Sequence, residues 1–366
     1  MDPAIRQISD RIRAAAADRT VLCIRGTDSK YFYGEPTQGE ALATTPLTGI
    51  TSYEPSELVV TVRAGTPLAE LEAVLAEKGQ CLPFEPPRFG DGGTVGGMVA
   101  AGLSGPARAS VGAVRDYVLG AQMLNGRGEL LNFGGQVMKN VAGYDVSRVL
   151  AGSLGTLGVI TEVSLKVLPV APAEATLVFD CDQADALRLL SGWGGQPLPL
   201  NASRWTLDRD QGRLWLRLRG AAAAVAAACK RLGGERQANE DARADWTATR
   251  NLRLSWFDAP EARELWRLSV PQTAPVLELT LREPPLIEWH GAQRWYLAAP
   301  GEGEQVREAA RAAGGHATLF MPAYRASTEM PRFDALSAPL RRIHEALMRE
   351  FDPHAVFDRA RLLPPA

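Results

Sequence analysis

Residues Gly90–Gly105 read GDGGTVGGMVAAGLSG, and residues Lys139–Pro169 read KNVAGYDVSRVLAGSLGTLGVITEVSLKVLP. Glycine loses more backbone entropy on ordering than any other residue, so helices and strands normally exclude it. Concentrated beside Thr and Ser ahead of apolar segments, it lets a backbone approach something closely. Tight turns are one such use. The other is a loop of bare N–H groups that attracts an anion, most often a phosphate. Two such runs in one chain, with a third glycine-bearing loop at Gly26-Thr27-Asp28-Ser29-Lys30, favour the ligand loop.

Outward from these runs the chain reads as alternating strands and helices. Ile5, Ile8 and Ile12 recur at near-helical spacing and predict an amphipathic N-terminal helix. Thr20–Ile24 is a short apolar strand leading into Arg25-Gly26, and Leu58–Val62 is another. Thr66-Pro67, with Glu70 and Glu72 following, predicts the start of a helix running from Leu68 to Lys78. Tyr117–Leu124 and Glu129–Phe133 flank Asn125-Gly126-Arg127-Gly128 as a hairpin, and Leu157–Val167 is a further strand. Pro169 and Pro172 mark a boundary. Beyond it, Ala175–Phe179, Ala184–Leu190, the strictly alternating Arg213–Leu218 and the alanine-rich Ala221–Leu232 predict an α+β module. Its antiparallel sheet would carry helices on one face. A last helix spans Pro339–Glu350. The domains expected are 1–172, 173–330 and a C-terminal helix and tail, 331–366, that packs back on the first domain.

The bulk numbers fit an ordinary globular chain of 366 residues, 46% hydrophobic and 22% charged. A net charge of −2 gives a nucleic-acid surface no support. The four cysteines, Cys23, Cys81, Cys181 and Cys229, never fall at C-x-x-C spacing, so this chain is not expected to build its own iron–sulfur or zinc site. Cys23 and Cys81 sit in strand-like segments and read as buried thiols. The charged N-terminus lacks the apolar core of a signal peptide, and no apolar run reaches the length of a membrane span. The expected location is the cytoplasm, where a membrane-bound partner could still hold the chain at the inner face.

Several well-known patterns are missing. No G-x-G-x-x-G opens a strand–turn–helix unit, no lysine sits in a P-loop, no G-x-S-x-G elbow occurs, and His290, His316, His344 and His354 share no metal-ligand spacing. What remains is a set of loops that could jointly hold a diphosphate. Its roughly two negative charges would gain about 1.5–3 kcal/mol per charge-assisted N–H bond. The Ser29 and Thr94 hydroxyls could join them, or serve as an ordinary turn and helix cap.

Taken in order, RGTDSKYFYG (Arg25–Gly34), VRAGTPLAELEAVL (Val62–Leu75), GDGGTVGGMVAAGLSGP, GAVRDYVLGAQMLNGRGELLNFGG (Gly112–Gly135) and the run from Lys139 resemble the FAD-binding domain of the vanillyl-alcohol oxidase / p-cresol methylhydroxylase (PCMH) superfamily. Within it they look most like the FAD-binding partner chain of multi-component glycolate oxidases. The likeness runs from about Leu22 to Pro169 and thins afterwards to HATLF (His316–Phe320) and FDPHAVF (Phe351–Phe357). It implies a PCMH-type FAD domain of two α+β subdomains followed by a smaller α+β domain. It places the FAD diphosphate against Arg25, Gly26, Thr27, Asp28, Ser29, Lys30, Gly92, Gly93, Thr94, Val95, Gly96 and Gly97. The flavin and adenine would lie near Arg115, Asp116, Lys139, Asn140, Gly143, Tyr144, Gly155, Gly158, Val159 and Ile160. Lys139 is a candidate to stabilise the reduced ring and equally reads as a surface lysine; Tyr144 equally reads as core.

Two departures from the superfamily matter. Covalent members place a histidine in the first glycine loop, where this chain has Asp28, which implies non-covalent FAD. The H-x-G-D-G-N-x-H metal motif of related 2-hydroxy-acid dehydrogenases is missing, and His316 reads as a structural histidine. Oxidation of a 2-hydroxy acid needs a base and a carboxylate clamp. Arg253, Arg267 and Arg325 are the clamp candidates, each also readable as a solvated charge, and no base stands out. The resemblance implies glycolate oxidation to glyoxylate beside a sister flavin subunit and an iron–sulfur subunit, with this chain either oxidising substrate or relaying electrons. A self-sufficient flavin oxidoreductase on another alcohol, lactone or hydroxy acid is the alternative; a cofactor-free assembly protein is a third reading that the intact glycine loops disfavour.

Overall fold

A computed structural model describes residues 2–90, 92–135, 145–208, 210–258, 262–323 and 330–363. The chain divides into two compact units, one of Met1–Leu103, Ala113–Val170 and Ala335–Ala366, the other of Ser104–Gly112 and Ala171–Asp334.

The first unit opens with helix α1, Pro3–Asp18. Asp2 caps it by accepting from the Ala4 N–H at 2.8 Å, and Pro3 fills a position whose N–H would be unpaired. Its Ile5, Ile8, Ile12 and Ala15 are buried, as the spacing predicts. They pack with β1 (Leu22–Arg25), β2 (Glu40–Ala43) and the C-terminal residues Val356 and Phe357 into one core. β1 and β2 run parallel. A second core lies on a five-stranded antiparallel sheet. Its strands are β3 (Ile50–Glu54), β4 (Val59–Arg63), β6 (Val118–Leu124), β7 (Leu130–Gly134) and β8 (Val159–Lys166), in the order β3-β4-β8-β6-β7; β5 (Gln80–Cys81) pairs with β9 (Leu168–Pro169) beside it. Helices α2 (Leu68–Glu77) and α3 (Val95–Ala101) cover this sheet through Leu68, Leu71, Leu75, Met98 and Val99.

Two local expectations change. Tyr117 closes a helical turn, Val114–Tyr117, instead of opening β6. Thr66 does not cap α2: its buried hydroxyl accepts from the Gly49 N–H at 2.9 Å, so a tertiary bond takes the group that local sequence assigns to the helix.

The second unit is built on an eight-stranded antiparallel sheet. Its strands are β10 (Ala173–Asp180), β11 (Leu200–Asp208), β12 (Gln211–Gly220), β13 (Glu235–Arg236), β14 (Glu264–Ser269), β15 (Leu286–Glu288), β16 (Gln293–Ala298) and β17 (His316–Met321). The order is β13-β10-β12-β11-β15-β16-β14-β17. Helices Gln183–Gly194 and Ala222–Leu232 pack on Leu214, Leu216 and Leu218 of β12. Helix Asn239–Arg250 instead packs on Trp215 of the same strand, together with Ala202. Successive side chains of a strand point to opposite faces, so this unit carries helices on both faces of its sheet, against the one-faced expectation. Arg217, in the alternating stretch of β12, and Arg204 of β11 are each only 3% exposed. Arg204 stacks 4.2 Å from the Trp215 ring and pairs with Asp245 at 2.9 Å, while Arg217 stacks 4.9 Å from Trp246. Stacking and pairing make burial of these cations tolerable. Residues 104–112 join this unit because Trp289 donates its indole N–H to the Gly105 carbonyl at 3.0 Å and lies under the Arg108 guanidinium, 4.5 Å away.

Candidate functional site

The site grows from the end of β1. Buried Leu22 and Cys23 anchor the strand, and the chain turns at Gly26-Thr27-Asp28-Ser29-Lys30. Asp28 takes a positive φ of 55° and pairs with Arg25 at 2.9 Å, and that bond raises the Arg25 pKa. The Tyr31 ring lies 5.0 Å from the Arg25 guanidinium. This loop presses against the second: a Cβ on Gly26 would sit 2.9 Å from Thr94 Oγ1, so only glycine allows the approach.

The second loop leads into α3. Thr94 is its cap, accepting from the Gly97 N–H at 3.1 Å. The Val95 N–H donates to the Thr66 carbonyl at 2.9 Å and the Gly96 N–H to the Ala64 carbonyl at 2.7 Å. The N–H groups of Val95, Gly96 and Gly97 are therefore spent on the fold and are not the phosphate donors that the sequence suggests. Gly96 is glycine for the same reason, since a Cβ there would meet the Ala64 Cβ at 2.6 Å. The N–H groups of Gly26, Thr27, Asp28 and Ser29, and of Gly92, Gly93 and Thr94, have no protein acceptor among the described residues. Such groups normally find a partner.

A third stretch closes the site. Residues 151–155 hold onto α3 through the Gly152 and Leu154 N–H groups, which donate to the Val99 and Ala100 carbonyls at 3.0 and 2.9 Å. The N–H groups of Gly155 and Gly158 likewise lack a protein acceptor among the described residues. The three stretches converge on one cleft of about 810 Å³, counted out to its open mouth. One wall is polar, from Arg25 to Lys30 with Thr94; another is apolar, from Ala64, Ala100, Ala101, Leu154 and Ile160.

The cleft thus gathers Arg25, Gly26, Thr27, Asp28, Ser29, Lys30, Thr94, Gly96, Gly97, Gly155, Gly158 and Ile160. It does not gather all the residues that the sequence proposes. Gly92 and Gly93 stand behind Thr27 and Ser29. Val95 and Val159 are fully buried in the two cores. Arg115 and Asp116 are off the cleft wall; Asp116 accepts from the Ala113 N–H at 2.8 Å. Lys139, Asn140, Gly143 and Tyr144 lie outside the described residues. The structure adds Tyr31, Thr37, Thr44 and Arg361 to the wall. The sequence signal for Arg361 is faint: one cation in a tail whose FDPHAVF portion carries the pattern.

In the second unit, Arg253 is exposed, Arg267 stacks 5.4 Å from Phe320, and Arg325 lies outside the described residues. His316 opens β17 with its side chain exposed. His290 is held at φ 57° with Nε2 2.9 Å from Ser110 Oγ, and burial pushes its imidazole down to about 4.

A ring of orphaned N–H groups beside an apolar wall suits a ligand with a diphosphate and a flat ring, which is the chemistry of FAD. Residues 4–134 match a family model described as an FAD binding domain. The chain is 44% identical over 353 residues to the glycolate oxidase subunit GlcE of Escherichia coli, covering 96% of this chain and 95% of that protein. It is 29% identical to the glycolate oxidase subunit GlcD of Bacillus subtilis over 49% of this chain and 38% of that one. Among solved structures, alkyldihydroxyacetonephosphate synthase superposes with a TM-score of 0.65 at 14% identity, over 96% of this chain and 73% of the other, a likeness of fold. No helix among the described residues is long and apolar enough to cross a membrane. Built on a PCMH-type FAD-binding domain, and matched almost end to end by a relative, the chain belongs to the GlcE family of glycolate oxidase subunits.

Proposed function

We propose that this chain is the FAD-binding subunit of a glycolate-oxidising complex and holds its FAD non-covalently in the cleft after β1. The observation that carries the reading is the set of N–H groups at Gly26–Ser29, Thr94, Gly155 and Gly158 left without protein acceptors, among the described residues, around one cleft. FAD, when bound, would supply a carrier able to take up two electrons and release them singly to a downstream centre. The chain's own residues bind and orient. The first loop and Thr94 offer donors to the diphosphate, and Ala64, Ala100, Ala101 and Ile160 exclude water. Asp28 replaces the histidine of covalent relatives, so the cofactor is exchangeable.

Within the complex we assign this chain the role of electron relay, with a sister flavin subunit oxidising glycolate and an iron–sulfur subunit accepting the electrons. The cleft wall supports this: among the described residues it carries no histidine, and its single carboxylate, Asp28, is paired with Arg25. Among the described residues the wall thus offers neither an imidazole nor an unpaired carboxylate as a base for the substrate hydroxyl. The assembly works at the inner face of the membrane through its partners.

Two measurements test the reading. The purified chain should show a flavin spectrum, with the chromophore released to the supernatant by acid precipitation; a colourless chain that takes up no added FAD overturns it. Under anaerobic conditions, glycolate should leave the flavin of the isolated chain oxidised and reduce it only when the sister subunit is present. Direct reduction would make this chain the substrate-oxidising subunit, and steady turnover with a simple acceptor would favour a self-sufficient oxidoreductase.

A further inference from the structure

We propose that Arg361, near the end of the chain, supplies the counter-charge for the diphosphate in the cleft, making the C-terminal segment part of the cofactor site. This deepens the FAD reading and rests on it. The segment is fixed by Asp352, fully buried, whose carboxylate accepts from the Val356 and Phe357 N–H groups at 2.9 and 3.0 Å. That turn lays the tail beside β1. The Leu22 N–H donates to the Val356 carbonyl at 2.7 Å, and the Asp358 N–H donates to the Leu22 carbonyl at 3.2 Å. One further turn, Arg359–Arg361, brings the last arginine to the first glycine loop.

There Arg361 Nη2 donates to the Tyr33 carbonyl at 2.9 Å, with the Lys30 and Glu35 carbonyls at 3.5 Å from the guanidinium. The Glu35 N–H returns a bond to the Arg361 carbonyl at 3.0 Å. Every one of these acceptors is a neutral carbonyl. Other partly buried arginines of this unit have a carboxylate: Arg63 has Asp2, Arg88 has Glu72 and Arg25 has Asp28. Arg294 of the second unit also donates to three carbonyls, but it is wholly enclosed by protein, whereas Arg361 opens on a cleft. Burial lowers the Arg361 pKa, and the nearby Asp358 only partly offsets this. Among the described residues the cleft wall carries Arg25, Lys30 and Arg361 against the single carboxylate of Asp28, a formal excess of two positive charges. A diphosphate brings about two negative ones and accepts in the geometry that a guanidinium fork favours.

The rival explanation is a structural clamp that merely shapes residues 30–35. Binding of FAD, ADP and riboflavin to the full chain freed of flavin, followed by calorimetry at several salt concentrations, separates the two. R361Q should weaken FAD and ADP by about tenfold or more, equivalent to about 1.4 kcal/mol. It should change riboflavin, which has no phosphate, by less than about threefold and flatten the salt dependence of FAD binding. R361K keeps the charge and should stay within about fivefold of wild type for ADP. Equal losses for riboflavin and FAD, an R361K loss as deep as that of R361Q, or no loss at all overturns the proposal. A wild-type chain that binds no FAD sinks the flavin reading itself, a separate outcome visible before any variant is made.

Discussion

Gly96→Ala probes the packing that sets the cleft. A Cβ at Gly96 would lie 2.6 Å from the Ala64 Cβ and 3.0 Å from the Ala64 carbonyl oxygen. Ordinary contact begins near 3.4 Å, so α3 must retreat by about 0.8 Å from the end of β4. The Gly96 N–H to Ala64 carbonyl bond, now 2.7 Å, would then stretch to about 3.5 Å and cease to contribute. Overpacking costs about 1–3 kcal/mol and the weakened buried bond about 1–3 more. Helix propensity returns up to about 1 kcal/mol. The net is a destabilisation centred near about 3 kcal/mol, within about 1–6 kcal/mol, or a melting temperature lower by about 6–12 °C at the centre for a unit of this size. Because Gly96 and Gly97 stand on the cleft wall, FAD affinity should fall with it. The control is Gly192→Ala, another glycine within a helix, where a Cβ meets nothing within 4 Å. There the same substitution should stabilise by about 0.5–1 kcal/mol. Thermal unfolding followed by circular dichroism, with FAD titration, reads both. If the two variants melt together, the steric account of Gly96 is wrong.

Three further outcomes follow from other parts of the fold. The His290 imidazole, held near 4 when folded against about 6.5 when unfolded, contributes stability that is complete above pH 6.5 and is lost as pH falls toward 4. The loss is at most about 3 kcal/mol, and H290N, which tolerates the positive φ, should flatten the pH–stability profile of urea unfolding between those limits. Asp352→Ala strips the acceptor from two buried N–H groups and should cost about 2–4 kcal/mol, measurable in the same unfolding assay. It should also expose the tail to limited proteolysis and weaken FAD binding. For the Arg204–Asp245 pair, D245N leaves a guanidinium that is 3% exposed without its counter-ion and should destabilise by about 3 kcal/mol or more. The double variant R204M/D245L should lose less than the single; a double variant that loses more would show that the pair stabilises the fold outright.

The sequence by itself determined part of the elements, mainly in the first unit, together with the three glycine loops and the family; β2, β3, β11, β14–β16 and the helix Asn239–Arg250 carry no pattern that it read. What it determined rests on local propensity and on residues close together in the chain: Ile5, Ile8 and Ile12 mark a helix face, and the hairpin at Asn125–Gly128 follows from its turn residues. Tertiary structure alone decided what each glycine is for. Gly26 and Gly96 look alike in sequence, yet one lets two loops meet and the other admits the backbone of Ala64, because the neighbours that distinguish them come from elsewhere in the chain. The same holds for the N–H groups of Val95 and Gly96, spent on carbonyls that no local pattern reveals. Arg204 and Arg217 are buried against Trp215 and Trp246, contacts that no local pattern reveals. Arg361 reaches the Lys30 carbonyl from 331 positions away. Contacts of that range follow from how cores and strands close on one another, which a single sequence encodes only through the fold.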